Sequence, residues 1–300
     1  DLAVAHSKVG GIHEARGELD AALTAFREYL AICQRLIAQD SCNACWQRDL
    51  AVAHARVGNT HQARGDLDAA LAAFQEDLSI CQRLAAQDPS NAGWQRDLAV
   101  AHAKVGGIRE SRGDLDAALA AFQEYLAICQ RLTAHDPCHA HWQRELAVAH
   151  ARVGLNHQAR GDLDAAFTSF QEDLSICQRL TTKDPSNTGW QYDIAVAHAR
   201  VGGIHESMGD QDAALTAFQD YLAICQRLTA QAPTNAGWQR ELAVAHHRLG
   251  VLLMRLNRVG EAQSKHRRAV AEMAKAVAMS PENAGWLRDL EAMRRRLKAQ

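Results

Sequence analysis

No apolar run in these 300 residues approaches the roughly 18 that a membrane-spanning helix needs. No partner membrane is therefore expected. Neither sign of charge is in excess: 33 Lys and Arg stand against 35 Asp and Glu, a formal net charge of −2. No basic field exists to hold nucleic acid. Aromatic residues are scarce at 5%, and the apolar content leans on Ala and Leu, a composition suited to helices. The chain also lacks a phosphate-binding glycine loop, a nucleophile with a local partner, and a carboxylate pair outside its repeating pattern. The expectation is a non-enzymatic protein with no catalytic residue and no cofactor.

What the chain does have is a period of 48. The stretch "WQRDLAVAHARVG" at 46–58 returns, lightly edited, at Trp94, Trp142, Trp190, Trp238 and Trp286. Framed on the acid after Trp-Gln-Arg, the modules are 1–48, 49–96, 97–144, 145–192, 193–240 and 241–288, with a capping helix at 289–300. Residue 1 already lies in register with Asp49 and Asp97. That predicts a fragment or processed form with an uncapped first helix, open to head-to-tail self-association. All five prolines (Pro89, Pro137, Pro185, Pro233, Pro281) fall at one phase, in a polar link between modules. A second mark, "RGDLDAA" at 64–70 and its copies, places Gly17, Gly65, Gly113, Gly161 and Gly209 at helix ends, with an N-capping acid after each glycine.

Each module therefore reads as two helices, A and B. In the second module Trp46, Leu50, His54, Val57, Gly58 and His61 share one face of A. Leu67, Ala70, Leu71, Phe74, Leu78, Cys81 and Leu84 share one face of B. A lone hairpin cannot bury such stripes, so the modules must stack into an all-α solenoid, a single repeat domain over 1–300. Equivalent points on stacked layers lie about 10 Å apart, beyond the roughly 7 Å that a disulfide spans. The column Cys33, Cys81, Cys129, Cys177 and Cys225 is thus read as reduced, buried thiols, which favours the cytoplasm.

Glycines recur inside helix A at Gly10, Gly58, Gly106, Gly154, Gly202 and Gly250. Each costs the helix up to about 1 kcal/mol relative to Ala, a cost expected where a neighbouring helix comes close. Modules one, three and five share Gly-Ile at 11–12, 107–108 and 203–204 and Tyr at 29, 125 and 221. Modules two and four carry Asn59-Thr60 and Leu155-Asn156, with Asp77 and Asp173 for the tyrosine. Duplication of a two-module block is the first explanation of the alternation; a packing account fits alongside it, the helix-A glycine making room for the tyrosine ring, and the functional reading is a groove with alternating chemistry.

"VGNTHQARGDLDAALAAFQEDL" at 57–78 resembles the tetratricopeptide repeat, through Val57, Gly58, Gly65, Asp66, Ala70 and Phe74. The fit holds through five modules and weakens in the sixth. Here 48 residues replace the usual 34, similar to the long repeats of kinesin light chains and MalT-like bacterial signalling proteins. His54 takes a helix-A position that is usually aromatic.

The resemblance implies a right-handed superhelix whose A helices line a concave groove that binds a peptide or protein segment, probing inward with Lys8, Arg56, Lys104, Arg152, Arg200 and Arg248. Glu14, Gln62, Glu110, Gln158, Glu206 and Asn59 would join them. Such a row suits an extended, partly acidic segment. The same charges pairing with one another would be worth little. Of the clamp with which some relatives hold a terminal carboxylate, Asn59 alone sits suitably. The implied role is a scaffold in a larger bacterial signalling protein. The alternatives are the ligand-sensing arm of a signalling ATPase or effector enzyme, and a structural spacer or filament unit.

Two histidine columns, one from His6 to His246 and one through His13, His61, His157 and His205, lie seven residues apart on helix A. That is about 10 Å, too far to share a metal. They read as packed histidines, or as a stack that loosens on protonation. Cys42 and Cys45 in one loop, and Cys138, His139 and His141 in another, have zinc-ligand spacings. The loops are two layers apart, so the metal reading is confined to a site shared between chains (Cys42, Cys45, Cys138, His141). Module six is expected to lose the glycine turn at Asn257, and it carries His266 in place of the phenylalanine.

Overall fold

The computed structural model describes residues 2–298, all of it helix and short turn. Helices alternate in the expected A and B order and fall into two compact units, 1–160 and 161–300. In the first unit α1 (Leu2–Ala15), α3 (Ala44–Ala63), α5 (Ala92–Ser111) and α7 (Ala140–Arg160) are A helices. Between them lie the B helices α2 (Leu19–Gln39), α4 (Leu67–Gln87) and α6 (Leu115–His135). The second unit holds α8 (Leu163–Lys183), α10 (Gln211–Gln231) and α12 (Val259–Met279) as B helices. Its A helices are α9 (Thr188–Met208), α11 (Ala236–Arg255) and α13 (Ala284–Lys298). Within each unit every helix packs on its sequence neighbours, the arrangement of an α-solenoid.

Local chemistry sets these boundaries. The glycines after the A helices of modules one to five sit at φ +75° to +84°, a left-handed turn that side chains resist. Asp66, Asp114 and Asp210 then cap the B helices, accepting from the amides of Ala69, Ala117 and Ala213. Module six keeps this turn. Asn257 adopts φ +58°, since asparagine is the side chain that best tolerates the left-handed region. The glycine is lost there but the turn is not. The A helices start on Asn43, Asn91, Asn187, Asn235 and Asn283, whose side chains accept from the amide of the nearby tryptophan. For this reason the last helix begins at Ala284, five residues before the expected cap.

The mid-helix glycines meet the phenylalanine of their own module. A Cβ on Gly106 would lie 2.7 Å from Cε1 of Phe122, a fully buried ring, and Gly10, Gly58 and Gly202 stand likewise against Phe26, Phe74 and Phe218. Across the joint the same ring packs on the next A helix: Phe26 clusters with Val57, Phe74 with Val105 and Ile108, Phe122 with Val153. In module six His266, 1% exposed, takes the ring's place against Gly250.

A pair of neighbouring glycines gives opposite expectations. Gly106→Ala forces Phe122 to move and is expected to cost roughly 1–2 kcal/mol, overpacking outweighing the gain in helix propensity. Gly107→Ala meets nothing within 4 Å and is expected to stabilise by up to about 1 kcal/mol. Urea denaturation of the two variants reads both signs.

Candidate binding groove

The tyrosine and aspartate columns meet the following module. Tyr29 donates to the carbonyl of Asp49 at 3.2 Å. Tyr125 and Tyr221 donate to the carboxylates of Glu145 and Glu241 at 2.8 and 2.7 Å. A Cβ on Gly11 or Gly107 has nothing within 4 Å, so the expected seating of tyrosine against that glycine is wrong. The side chain leans across the joint, where the acid of the next A helix satisfies its hydroxyl.

Asp77 and Asp173 lean the same way and reach the cation column. Asp173, 2% exposed, accepts from Arg200 at 2.8 Å; Asp77, 5% exposed, lies 3.5 Å from Lys104 Nζ. Burial raises the pKa of both carboxyls, and the cation opposes it. Lys104 also lies 5.5 Å above the Phe74 ring, and Arg56 5.9 Å from that of Phe26.

The six cations expected to face a ligand therefore differ in kind. Lys104 and Arg200 neutralise buried acids within a joint. Arg56 and Arg152 are exposed, and their contacts, Glu14 at 3.7 Å and Glu110 at 4.0 Å, are half-buried surface partners. Glu206 is held instead by Arg255 at 2.7 Å. Lys8 and Arg248 are exposed; Gln62 is exposed, Gln158 and Asn59 half-buried. Arg48 and Asp97, which the sequence marks only as part of the repeat's frame, close an ion pair at 2.6 Å between α3 and α5. Beside that pair lies a cleft of about 260 Å³ lined by Arg56, Asn59, Val52, Val100 and Lys104. In the second unit a cleft of about 410 Å³ opens beside Arg248, Val244, Val251 and Met293.

The histidines mostly serve the scaffold. His13, His61 and His205 lie against Glu18, Asp66 and Asp210, the acids that open the B helices. Burial lowers the pKa of His54, His102 and His198. Of the loop residues, Cys42, Cys45 and Cys138 are exposed thiols. His139 replaces the capping asparagine, its Nδ1 accepting from the Trp142 amide at 3.4 Å while its ring stacks on the indole. His141 accepts from Arg96 at 3.0 Å. Among the described residues no three of these side chains converge as metal ligands. The five stacked cysteines are buried and form no disulfide, and burial pushes Cys33 up to about 11 and Cys129 and Cys225 up to about 12.

No described helix is long and apolar enough to cross a membrane. Residues 50–89 match the family model of the tetratricopeptide repeat, a stretch that contains all six residues on which the resemblance rests. No curated protein matches the chain. Among solved structures, BtubC (BKLC) from P. vanneervenii is similar with a TM-score of 0.66 at 18% identity, over 85% of this chain and 91% of that one. The apo form of RapI gives 0.58 at 11% identity over 99% of both. The nearly identical TPR-like repeats of a Podosopora anserina protein assigned as a kinesin light chain give 0.53 at 15%, over 77% and 95%. At these identities the likeness carries the fold: an α-solenoid of tetratricopeptide-type repeats.

Proposed function

We propose that the A-helix face holds a peptide or protein segment and that the chain is a non-enzymatic interaction scaffold. The observation that carries this reading is the division among the cations. Joints between modules consume Lys104 and Arg200, while Arg56 and Arg152 stand exposed beside half-buried glutamates, where a partner's carboxylates can compete for them. Clefts with aliphatic walls lie beside the same column, the mixture of apolar surface and placed charge that peptide grooves use. The buried thiol column supports a reducing, cytoplasmic setting.

The test is capture of a partner from cell extract by the intact chain and by the Arg56→Ala/Arg152→Ala variant. Each lost contact is long and joins an exposed arginine to a half-buried glutamate at the surface, so the fold is expected to hold within about 1 kcal/mol. Loss of the partner places binding on the A-helix face. Equal retention moves it elsewhere and removes this proposal. Self-association through α1 is a second reading, favoured by exposed Leu2, Val4 and Ile12 at 63, 54 and 53%; sedimentation of the same samples reads it.

A further inference from the structure

The edge formed by the turns between A and B helices carries a ladder of ion pairs that stops. In the first unit each B helix opens with an exposed aspartate, and an arginine at the end of the following module's A helix answers it. Arg64 and Arg112 lie 3.0 Å from Asp20 and Asp68, and Arg160 pairs with Asp116. In the second unit the aspartates continue as Asp164 and Asp212, in the first turns of α8 and α10. The cations do not. The two positions that would answer these acids hold Met208 and Leu256.

Asp164 and Asp212 are exposed and make no ion pair among the described residues. Neighbouring cations are engaged elsewhere: Arg255 with Glu206 and Arg258 with Glu261, both at 2.7 Å, and His205 with Asp210 at 3.5 Å. The exchange also runs toward apolar surface rather than toward a neutral polar one. Met208 and Val259, the first residue of α12, are each 42% exposed, and Leu256 is half-buried. None of these five residues lines the clefts of the groove described above. The edge thus presents two unanswered carboxylates in successive layers with aliphatic surface beside them.

We propose that this edge docks a helix of a partner protein that carries two arginines seven residues apart, with leucine-type side chains on the same face. The first unit shows the group that these carboxylates take, a guanidinium. Asp164 and Asp212 belong to successive layers, about 10 Å apart. Residues seven apart on a helix share a face at about 10.5 Å. On one face of an extended strand the steps are about 7 and 13 Å, and neither matches. The aliphatic side chains of the docked helix cover Met208 and Val259. This surface is separate from the A-helix groove and stands whether or not the groove binds a segment.

Fluorescence anisotropy of the intact chain tests it with two peptides of equal composition. In fluorescein-AAAARAALAALRAAAA-amide the arginines are seven apart on one face; in fluorescein-AAAARAALARLAAAAA-amide they are five apart on opposite faces. The expected result is saturable binding of the first, a shift of the Met208 methyl in NMR of methionine-labelled chain, and about fivefold weaker binding of the second, the loss of one exposed ion pair. Met208→Arg, which continues the ladder of the first unit, is expected to weaken binding at least about tenfold by occupying Asp164 and removing apolar contact. Its thermal unfolding midpoint is expected to be unchanged or raised. Asp164→Asn is expected to weaken binding about fivefold and decides alone should Met208→Arg fail to fold. Equal affinity for the two peptides overturns the proposal, as do absence of binding, binding without a Met208 shift, and undiminished binding by a folded variant. Arg56→Ala/Arg152→Ala is expected to bind the first peptide as the unsubstituted chain does; a loss there moves the peptide to the groove and overturns this site. Self-association seen by sedimentation and lost in Met208→Arg, with no peptide bound, assigns the edge to a second copy and overturns it likewise.

Discussion

Arg200→Ala is expected to destabilise the second unit by about 3 kcal/mol, whereas Arg152→Ala, one module earlier in the same column, costs less than about 1 kcal/mol in the first. The difference lies in the acids they leave behind. Arg200 bonds at 2.8 Å to Asp173, which is 2% exposed, while Arg152 lies 4.0 Å from half-buried Glu110. Removing one partner of a buried pair strands the other, at a typical cost of roughly 3–5 kcal/mol; an exposed pair is worth about 0–1 kcal/mol. The lower figure applies here because burial already raises the Asp173 pKa, so the stranded carboxyl escapes part of the cost by taking a proton. Adding Asp173→Asn to Arg200→Ala is expected to recover most of the loss. Hydrogen exchange of α9 amides, with urea denaturation of the whole chain, measures each variant. A cost for Arg200→Ala no greater than that for Arg152→Ala would show that the joint does not depend on the pair.

Acidification is expected to open the second unit first. His246 is 3% exposed, and burial, with Lys265 and Arg268 on α12, pushes its pKa from 6.5 down to about 4; neighbouring His247 is held at a similar value. Between about pH 6.5 and 4 the unfolded chain binds protons at these sites that the folded chain refuses, so stability falls as the pH falls through that window. Each tenfold loss of proton affinity on folding is worth about 1.4 kcal/mol, so His246 alone accounts for roughly 3 kcal/mol. The pKa of Asp173 moves the other way, upward from 3.8, and offsets part of this loss at the acid end. Unfolding free energy measured from pH 7 to pH 4, with His246→Gln as the comparison, checks the sign. A flat profile in the unsubstituted chain would mean that these imidazoles are protonated in the fold.

The 48-residue period, the helix pairs and the glycine turns are legible in the sequence because each is a local signal. Gly65 needs its left-handed angle and Asp66 caps the helix after it, whatever packs nearby. The close approach at Gly106 is legible as well, although its partner, Phe122, is not. The partners across joints are hidden. A column such as Tyr29, Asp77, Tyr125 shows that a face is shared, not whether it meets its own A helix or the next, and the neighbour expected for the tyrosine is the wrong one. The cation column looks uniform for a related reason: Arg56 and Arg200 differ only in what lies beneath them. His139 as a cap and Asn257 as a left-handed turn are obscured because each replaces the usual residue with a different one of equivalent geometry.

The joints also bear on how such an array can change length. In modules two to six the A helix brings an acid at one position (Asp49, Asp97, Glu145, Asp193, Glu241) and a cation seven residues on (Arg56, Lys104, Arg152, Arg200, Arg248). The B helix before it uses one or the other, a tyrosine reaching toward the acid and an aspartate taking the cation. Each A helix is thus a universal socket, and the B helix alone decides which contact is made. A module can be gained or lost singly, in either phase of the alternation, without leaving a buried charge unanswered. Selection can adjust the length of the array in steps of 48 residues.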